Sequence, residues 1–172
     1  MIVCGIDPSL SQTAVVIGSG PQSYVVHTFK SKPLGGSAAD RVRRYDILVS
    51  DIMQVIHASK PDRIFIENYA FGAKMAREVL GEFGGILRWH LVDVDPQLCE
   101  VSPLGLKKFV TGKGAGQKEQ MMLGVFRNWG FEPRGNDEAD AYGLWRLGRC
   151  VCGLEEPSNQ SQREAVQKVK GD

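Results

Sequence analysis

Four acidic residues stand where sequence elements end or begin. Asp7 follows the apolar run Ile2-Val3-Cys4-Gly5-Ile6, and Glu67 follows Arg63-Ile64-Phe65-Ile66. Asp137 and Asp140 open the segment NDEADAYGL, and their i, i+3 spacing puts both on one helix face. Parallel neighbouring strands would set Asp7 and Glu67 side by side at one sheet edge. Four carboxylates in one place repel each other and do not all ionise unaided. A divalent cation removes that conflict, and all-oxygen ligands suit Mg2+ or Mn2+. Two such ions about 3.5–4 Å apart form the arrangement that supports in-line attack on a phosphodiester. Taken singly, each acid reads as a turn or cap residue, and Asp137 as an N-cap. Their joint placement is what points to chemistry.

A basic segment follows the same theme. Lys107, Lys108, Lys113 and Lys118 fall between Pro103 and Lys118, a stretch without an acid. Lys113 sits inside Gly112-Lys-Gly-Ala-Gly116, where backbone N–H groups are able to approach phosphates. The spacing does not match a nucleotide-binding P-loop, because the position that needs Gly-Lys holds Gln117. A solvated helix face is the plainer explanation of these lysines taken alone. Tyr69 and Phe71 flank Ala70 just beyond Glu67 and offer rings for stacking on an unpaired base, with one of them expected to pack under the loop. Lys74 and Arg77 follow Glu67 closely and are expected to face DNA. Arg41, Arg43 and Arg44 are offset by Asp40 and Asp46 and read as ordinary surface pairing.

These residues need a scaffold. Met1–Asp7, Thr13–Ile17 and Ser23–Phe29 read as three strands joined by short turns, a meander and not a βαβ unit. A helix is predicted over Ala38–Ser59, with apolar positions repeating at three and four and Pro61 ending it. Arg63–Glu67 is a fourth strand. A second helix over roughly Lys74–Leu91 carries Phe83, Ile86, Leu87 and His90 on one face. Its glycines Gly81, Gly84 and Gly85 cost helix stability and allow close approach, either of its own sheet or of a second chain across a two-fold axis. Leu98–Val101 is a fifth strand, and Pro103 opens a short helix. Further helices are predicted over Gln117–Trp129 and from Asn136 to about Cys152, the last capped by Asn136 or Asp137. The fold class is α/β, a mixed five-stranded sheet with helices on its faces. Residues 1–153 are expected to make one domain, and residues 154–172 a polar tail expected to be disordered.

At this point the sequence resembles a family. GIDPSLSQTAVVI is similar to the first-strand motif of RuvC-type Holliday junction resolvases, and IENYAFGAKMAREVLGEFGGIL to their second acidic strand and following helix. VSPLGLKKFVTGKGAGQKEQM and NDEADAYGLWRLG resemble the family's later basic and D-x-x-D-A motifs. The four matches occur in order over Met1–Gly148. The resemblance implies an RNase H-like fold and a magnesium-dependent, homodimeric endonuclease acting on branched DNA, in a bacterial or phage version. By motif position it implies Asp7, Glu67, Asp137 and Asp140 as metal ligands holding two ions, and phosphate or catalytic contacts for Lys107 and Lys118. Lys108 and Lys113 are weaker additions. Ser9 stands where the family usually has Gly, Ala14 replaces the Gly after Thr13, and Glu138 adds an acid read as outer-lying or solvated.

Composition sets the limits. The chain has 172 residues, 42% hydrophobic, with 21 Lys+Arg against 20 Asp+Glu and a net charge of +1. That is a globular domain without a strongly basic coat, so a pure nucleic-acid coat protein is excluded. No apolar run has the length of a membrane helix. The four cysteines form no ligand or disulfide pattern, which with no secretory signal pattern predicts a cytoplasmic protein. The expected function is resolution of Holliday junctions by paired symmetrical cleavage. The alternative is a less selective RNase H-like nuclease acting on general branched DNA or RNA–DNA hybrids. An ATP-binding relative with a similar first hairpin would need about twice this length.

Overall fold

The computed structural model describes residues 1–68, 77–114 and 118–171; the side chains of Arg77, Lys118 and Glu119 fall outside that description. Five strands run β1 Val3–Asp7, β2 Gln12–Gly20, β3 Ser23–Lys30, β4 Arg63–Glu67 and β5 Cys99–Val101. Six helices are interleaved, α1 Ala38–Ser59, α2 Arg77–Val94, α3 Pro103–Thr111, α4 Lys118–Trp129, α5 Asn136–Val151 and α6 Gln160–Gly171. The sheet order is β3-β2-β1-β4-β5. The meander pairs antiparallel, and β4 and β5 extend it in parallel. This is the mixed five-stranded sheet expected from the sequence.

β1 is buried along its whole length, as a central strand covered on both faces must be. Side chains alternate between faces. Cys4 and Ile6 join a core with α1 and α2, while Val3 joins a second core with α5, α3, α4 and α6. Asp7 shares the parity of Val3 and Gly5 and therefore lies on the α5 side. On β4, Ile64 and Ile66 enter the first core and Phe65 the second, so Glu67 also lies on the α5 side. Ile6 stands opposite Ile66 in the parallel register, and one residue further along both strands come Asp7 and Glu67. Two acids separated by sixty residues are thus neighbours through register alone.

Three local devices fix the helices that matter. Ser37 and Asp40 form a reciprocal capping box at the start of α1. Ser102 Oγ accepts from the Gly105 N–H and Pro103 occupies the first turn of α3. α5 crosses β1 at Gly5, where a Cβ would come within 2.5 Å of the Ala141 carbonyl oxygen. Only glycine permits that approach.

Two expectations are corrected. The stretch beyond Gly153 is not a frayed tail along its length: α6 docks on α3 and buries Ala165 and Val166, and Lys108 Nζ meets Glu164 at 2.5 Å. Tertiary packing holds a helix whose polar composition argued against one. On α2, Phe83 and Leu87 are fully buried in the chain's own core. They close against β1, β4 and α1 and are not available to a second chain. The open side of α2 carries Trp89 instead, 74% exposed.

Candidate active site

Asp7, Glu67, Asp137 and Asp140 line one cavity of about 260 Å³, together with Ser9, Pro103, Lys107, Met121 and Asn136. Each wall has a local cause. The turn after β1 is locked by Thr13, whose buried hydroxyl donates to the Ser9 carbonyl at 2.7 Å and accepts from the Ser9 N–H at 3.1 Å. That fixes Ser9 on the rim. The end of β4 is held by Arg88, whose guanidinium donates to the Glu67 carbonyl at 3.0 Å and pairs with Glu100. Asp95 pins the other end of β4 by accepting from the Ile64 N–H at 2.8 Å. Helix α5 takes Gly135 as its N-cap with no side-chain cap bond. Asn136 and Asp137 therefore lie inside the helix, which removes the N-cap explanation of Asp137.

The electrostatics follow from crowding. Asp7 is only 6% exposed. Burial, and then the charges of Glu67, Asp140 and Asp137, push its carboxyl well above the usual range, and it donates a hydrogen bond to Glu67. Glu67 is also raised, mainly by burial and by Asp140, while the bond from Asp7 and the Lys107 ammonium pull it back. Both carboxyls are thus shifted toward the protonated form.

Comparison with known proteins decides the family. Residues 3–144 match the model of the family described as crossover junction endodeoxyribonuclease RuvC. The chain belongs to the RuvC family. It is 28% identical over 178 residues to the RuvC of Chlorobium phaeobacteroides, covering 98% of this chain and 89% of that protein. It is 26% identical over 162 residues to the RuvC of Pseudothermotoga lettingae, covering 90% of this chain and 95% of the relative. The fold matches a solved structure of T. thermophilus RuvC in complex with Holliday junction substrate, with TM-score 0.69, 20% identity and coverage of 84% and 90% of the two chains. It matches the yeast mitochondrial Holliday junction resolvase Ydc2 at TM-score 0.51 and 13% identity, covering 98% and 81%. The family's activity is endonucleolytic cleavage of crossover junctions, and it depends on divalent metal.

The donor set of this RuvC chain suits such a metal. Four carboxylates supply hard oxygen ligands, and two of them, Asp7 and Glu67, are pushed up first by burial and then by the neighbouring acid charges. Among the described residues no three His, Cys, Asp or Glu side chains are grouped closely enough to enclose an ion as they stand. The carboxylates line an open cavity.

The other expected residues separate. Lys107 lies in the cavity wall and faces Glu67. Lys108 turns to Glu164 on α6 and does not reach the cavity. Lys113 lines a different groove, between α3 and α4. Lys118 opens α4, one turn before Met121 of the cavity wall. Tyr69, Phe71 and Lys74 lie outside the described residues, as does the Arg77 side chain. Glu138 is not solvated: it is 5% exposed and accepts from the Arg134 N–H at 2.8 Å, shaping the loop before α5. Nor, among the described residues, is Arg44 paired with an acid. It donates to the Leu10 carbonyl at 2.6 Å and to Ser31, tying the turn beyond Asp7 to the loop after β3. Arg88, Asn136 and Met121 escaped the sequence reading. Nothing in their spacing distinguishes them from ordinary helix residues.

Proposed function

We propose that this chain is a Holliday junction resolvase that acts as a homodimer in the cytoplasm, cutting two strands of like polarity at symmetrical positions. The observation that carries the reading is the convergence of four carboxylates from β1, β4 and α5 on one cavity with Lys107 in its wall. Asp7, Glu67, Asp137 and Asp140 would hold two Mg2+ ions, with Mn2+ able to substitute. Bound there, the ions supply charge neutralisation and an activated water for in-line phosphodiester hydrolysis. Asp7 and Glu67, whose carboxyls burial and neighbouring acids push up, would be the groups whose charge a bound ion offsets. Lys107 neutralises and orients the phosphate at the cavity mouth, and Lys118 is assigned to the departing side of the scissile bond. Lys74, Arg77, Lys113, Tyr69 and Phe71 are assigned to DNA contacts outside the cavity. For Lys108 the pairing with Glu164 argues for a structural role instead.

Paired cuts need two sites related by a two-fold axis. Support for the seam comes from the outer side of α2. Trp89 is exposed there, and Gly81 and Gly85 leave open space where a Cβ would stand. The test is to map cuts on a synthetic four-way junction labelled on each strand. Paired incisions at symmetrical positions in opposed strands are expected. Equal cutting of flaps, linear duplex and junctions would move the reading to a less selective branched-DNA or RNA–DNA nuclease.

A further inference from the structure

We propose that the groove between the end of α3 and the outer side of α4 is a second phosphate-backbone site, with Arg127 as its principal cation, for the DNA strand that leaves the catalytic cavity. The inference rests on the reading of the chain as a junction nuclease and extends it to a surface that the catalytic cavity does not include.

The groove has a volume of about 400 Å³, and its wall includes Thr111, Lys113, Gln120, Leu123, Arg127 and Asn128. Among the described residues that line it there are two cations, Lys113 and Arg127, and no acid. Most partly buried arginines of this chain are matched by carboxylates: Arg63 by Asp95, Arg88 by Glu100, and Arg146 and Arg149 by Glu155. Among the described residues neither Lys113 nor Arg127 has such a partner. An exposed guanidinium beside a lysine, with no carboxylate among the described lining residues to compete for it, offers charged donors, which is the chemistry of phosphate recognition.

The groove is also built in advance. At Gly124 a Cβ would stand 3.0 Å from Val110 Cγ1 and 3.1 Å from the Val110 carbonyl, so α4 lies close on α3. Asn128 Nδ2 donates to that same carbonyl at 2.7 Å. Thr111 Oγ1 donates to the Lys107 carbonyl at 2.8 Å, and the Lys113 N–H lies 3.2 Å from the same hydroxyl. The end of α3 is therefore fixed relative to Lys107, which lines the catalytic cavity. Lys107 to Thr111 is about 6 Å along a helix axis at 1.5 Å per residue. With the residues beyond it, that spans two or three nucleotides at about 3.4 Å per step in one strand. The groove is thus within reach of a strand held at the cavity.

The test measures binding of a labelled four-way junction by fluorescence anisotropy in EDTA, where no cutting occurs, across a potassium chloride series. Arg127→Ala should weaken binding on the order of tenfold and reduce the salt slope by about 1, the loss of one phosphate contact. Arg127→Glu should weaken it further. The single-turnover cleavage rate at saturating protein with Mg2+ should stay within about twofold of the parent, because Arg127 does not touch the cavity. Circular dichroism checks that the exposed substitutions leave the fold intact. Unchanged affinity and slope would overturn the proposal, as would weaker binding with an unchanged slope, since the lost contact would not be to phosphate. A parent protein that binds linear duplex as well as junctions overturns the resolvase reading instead, and the groove is then judged by the same slope on linear duplex. A parent that binds neither overturns both.

Discussion

Gly5→Ala tests how the fold positions the site. Gly5 lies in the middle of β1, where α5 crosses. A methyl group there would stand 2.5 Å from the Ala141 carbonyl oxygen and press on the backbone nitrogen of Trp145. Both are backbone atoms of one helix, so no rotamer relieves the contact. Ordinary contact distances require α5 to retreat by roughly 1 Å. Overpacking of this kind costs about 1–3 kcal/mol, and a backbone clash belongs at the upper end. The consequence for chemistry is larger. Asp7 sits two residues beyond Gly5 on the same face of the strand, and Asp140 directly precedes Ala141 on the displaced helix. The same 1 Å therefore opens the carboxylate set, and a misplacement of that size costs on the order of 100-fold in rate. Denaturant unfolding gives the stability change, and single-turnover cleavage of a four-way junction at saturating protein gives the rate. A variant within about 0.5 kcal/mol and twofold of the parent would refute the reasoning. A destabilised variant that cuts at the parental rate would show that the seat of α5 does not set the site.

Other expectations follow from charge and exposure. Burial and neighbouring acids raise Glu67 from 4.5 to about 7, and Asp7 is raised in the same direction. The folded, metal-free protein thus binds more protons than the unfolded chain above pH 4, and its stability should fall from about pH 4 to pH 7, by on the order of 3 kcal/mol for Glu67 alone. Thermal melts in EDTA against pH check the sign, and added Mn2+ should restore more stability at pH 8 than at pH 5. Trp89→Glu should shift sedimentation toward monomer and reduce paired incision more than single nicking, whereas unchanged sedimentation removes α2 as the seam. Arg88→Ala should slow cleavage by freeing the Glu67 carbonyl and strand end while leaving junction affinity in EDTA unchanged; an unaltered rate would show that β4 holds Glu67 without it.

Much of this architecture is legible in the chain because its causes are local. α1 begins and ends where the capping pair Ser37 and Asp40, the apolar repeat and Pro61 say it should. The two acidic strands announce themselves by β-branched runs ending in a carboxylate, and register does the rest. What depends on tertiary contact is not legible. The periodicity of α2 marks an apolar face but not its partner, and Phe83 and Leu87 turn inward while Trp89 turns out. The polar sequence of α6 offers little beyond Ala165 and Val166, and becomes a helix by docking on α3. Arg44 binds the backbone of a turn far away in the sequence, at Leu10, which no spacing rule foresees, and Glu138 turns back onto the Arg134 N–H of the loop just before its own helix. Arg127 stands alone in its segment, and only the packing of α4 on α3 places it beside Lys113.

The central claim is that the four-carboxylate cavity performs metal-dependent junction cleavage. Asp7→Asn addresses it most directly, with cleavage and binding of one four-way junction measured in Mg2+ and in EDTA. The parent should cut in Mg2+ and not in EDTA. The variant should cut in neither, yet bind the junction at least as tightly as the parent, since removing a carboxylate lowers repulsion toward phosphate. Cleavage by Asp7→Asn at the parental rate, or by the parent in EDTA, would contradict the claim.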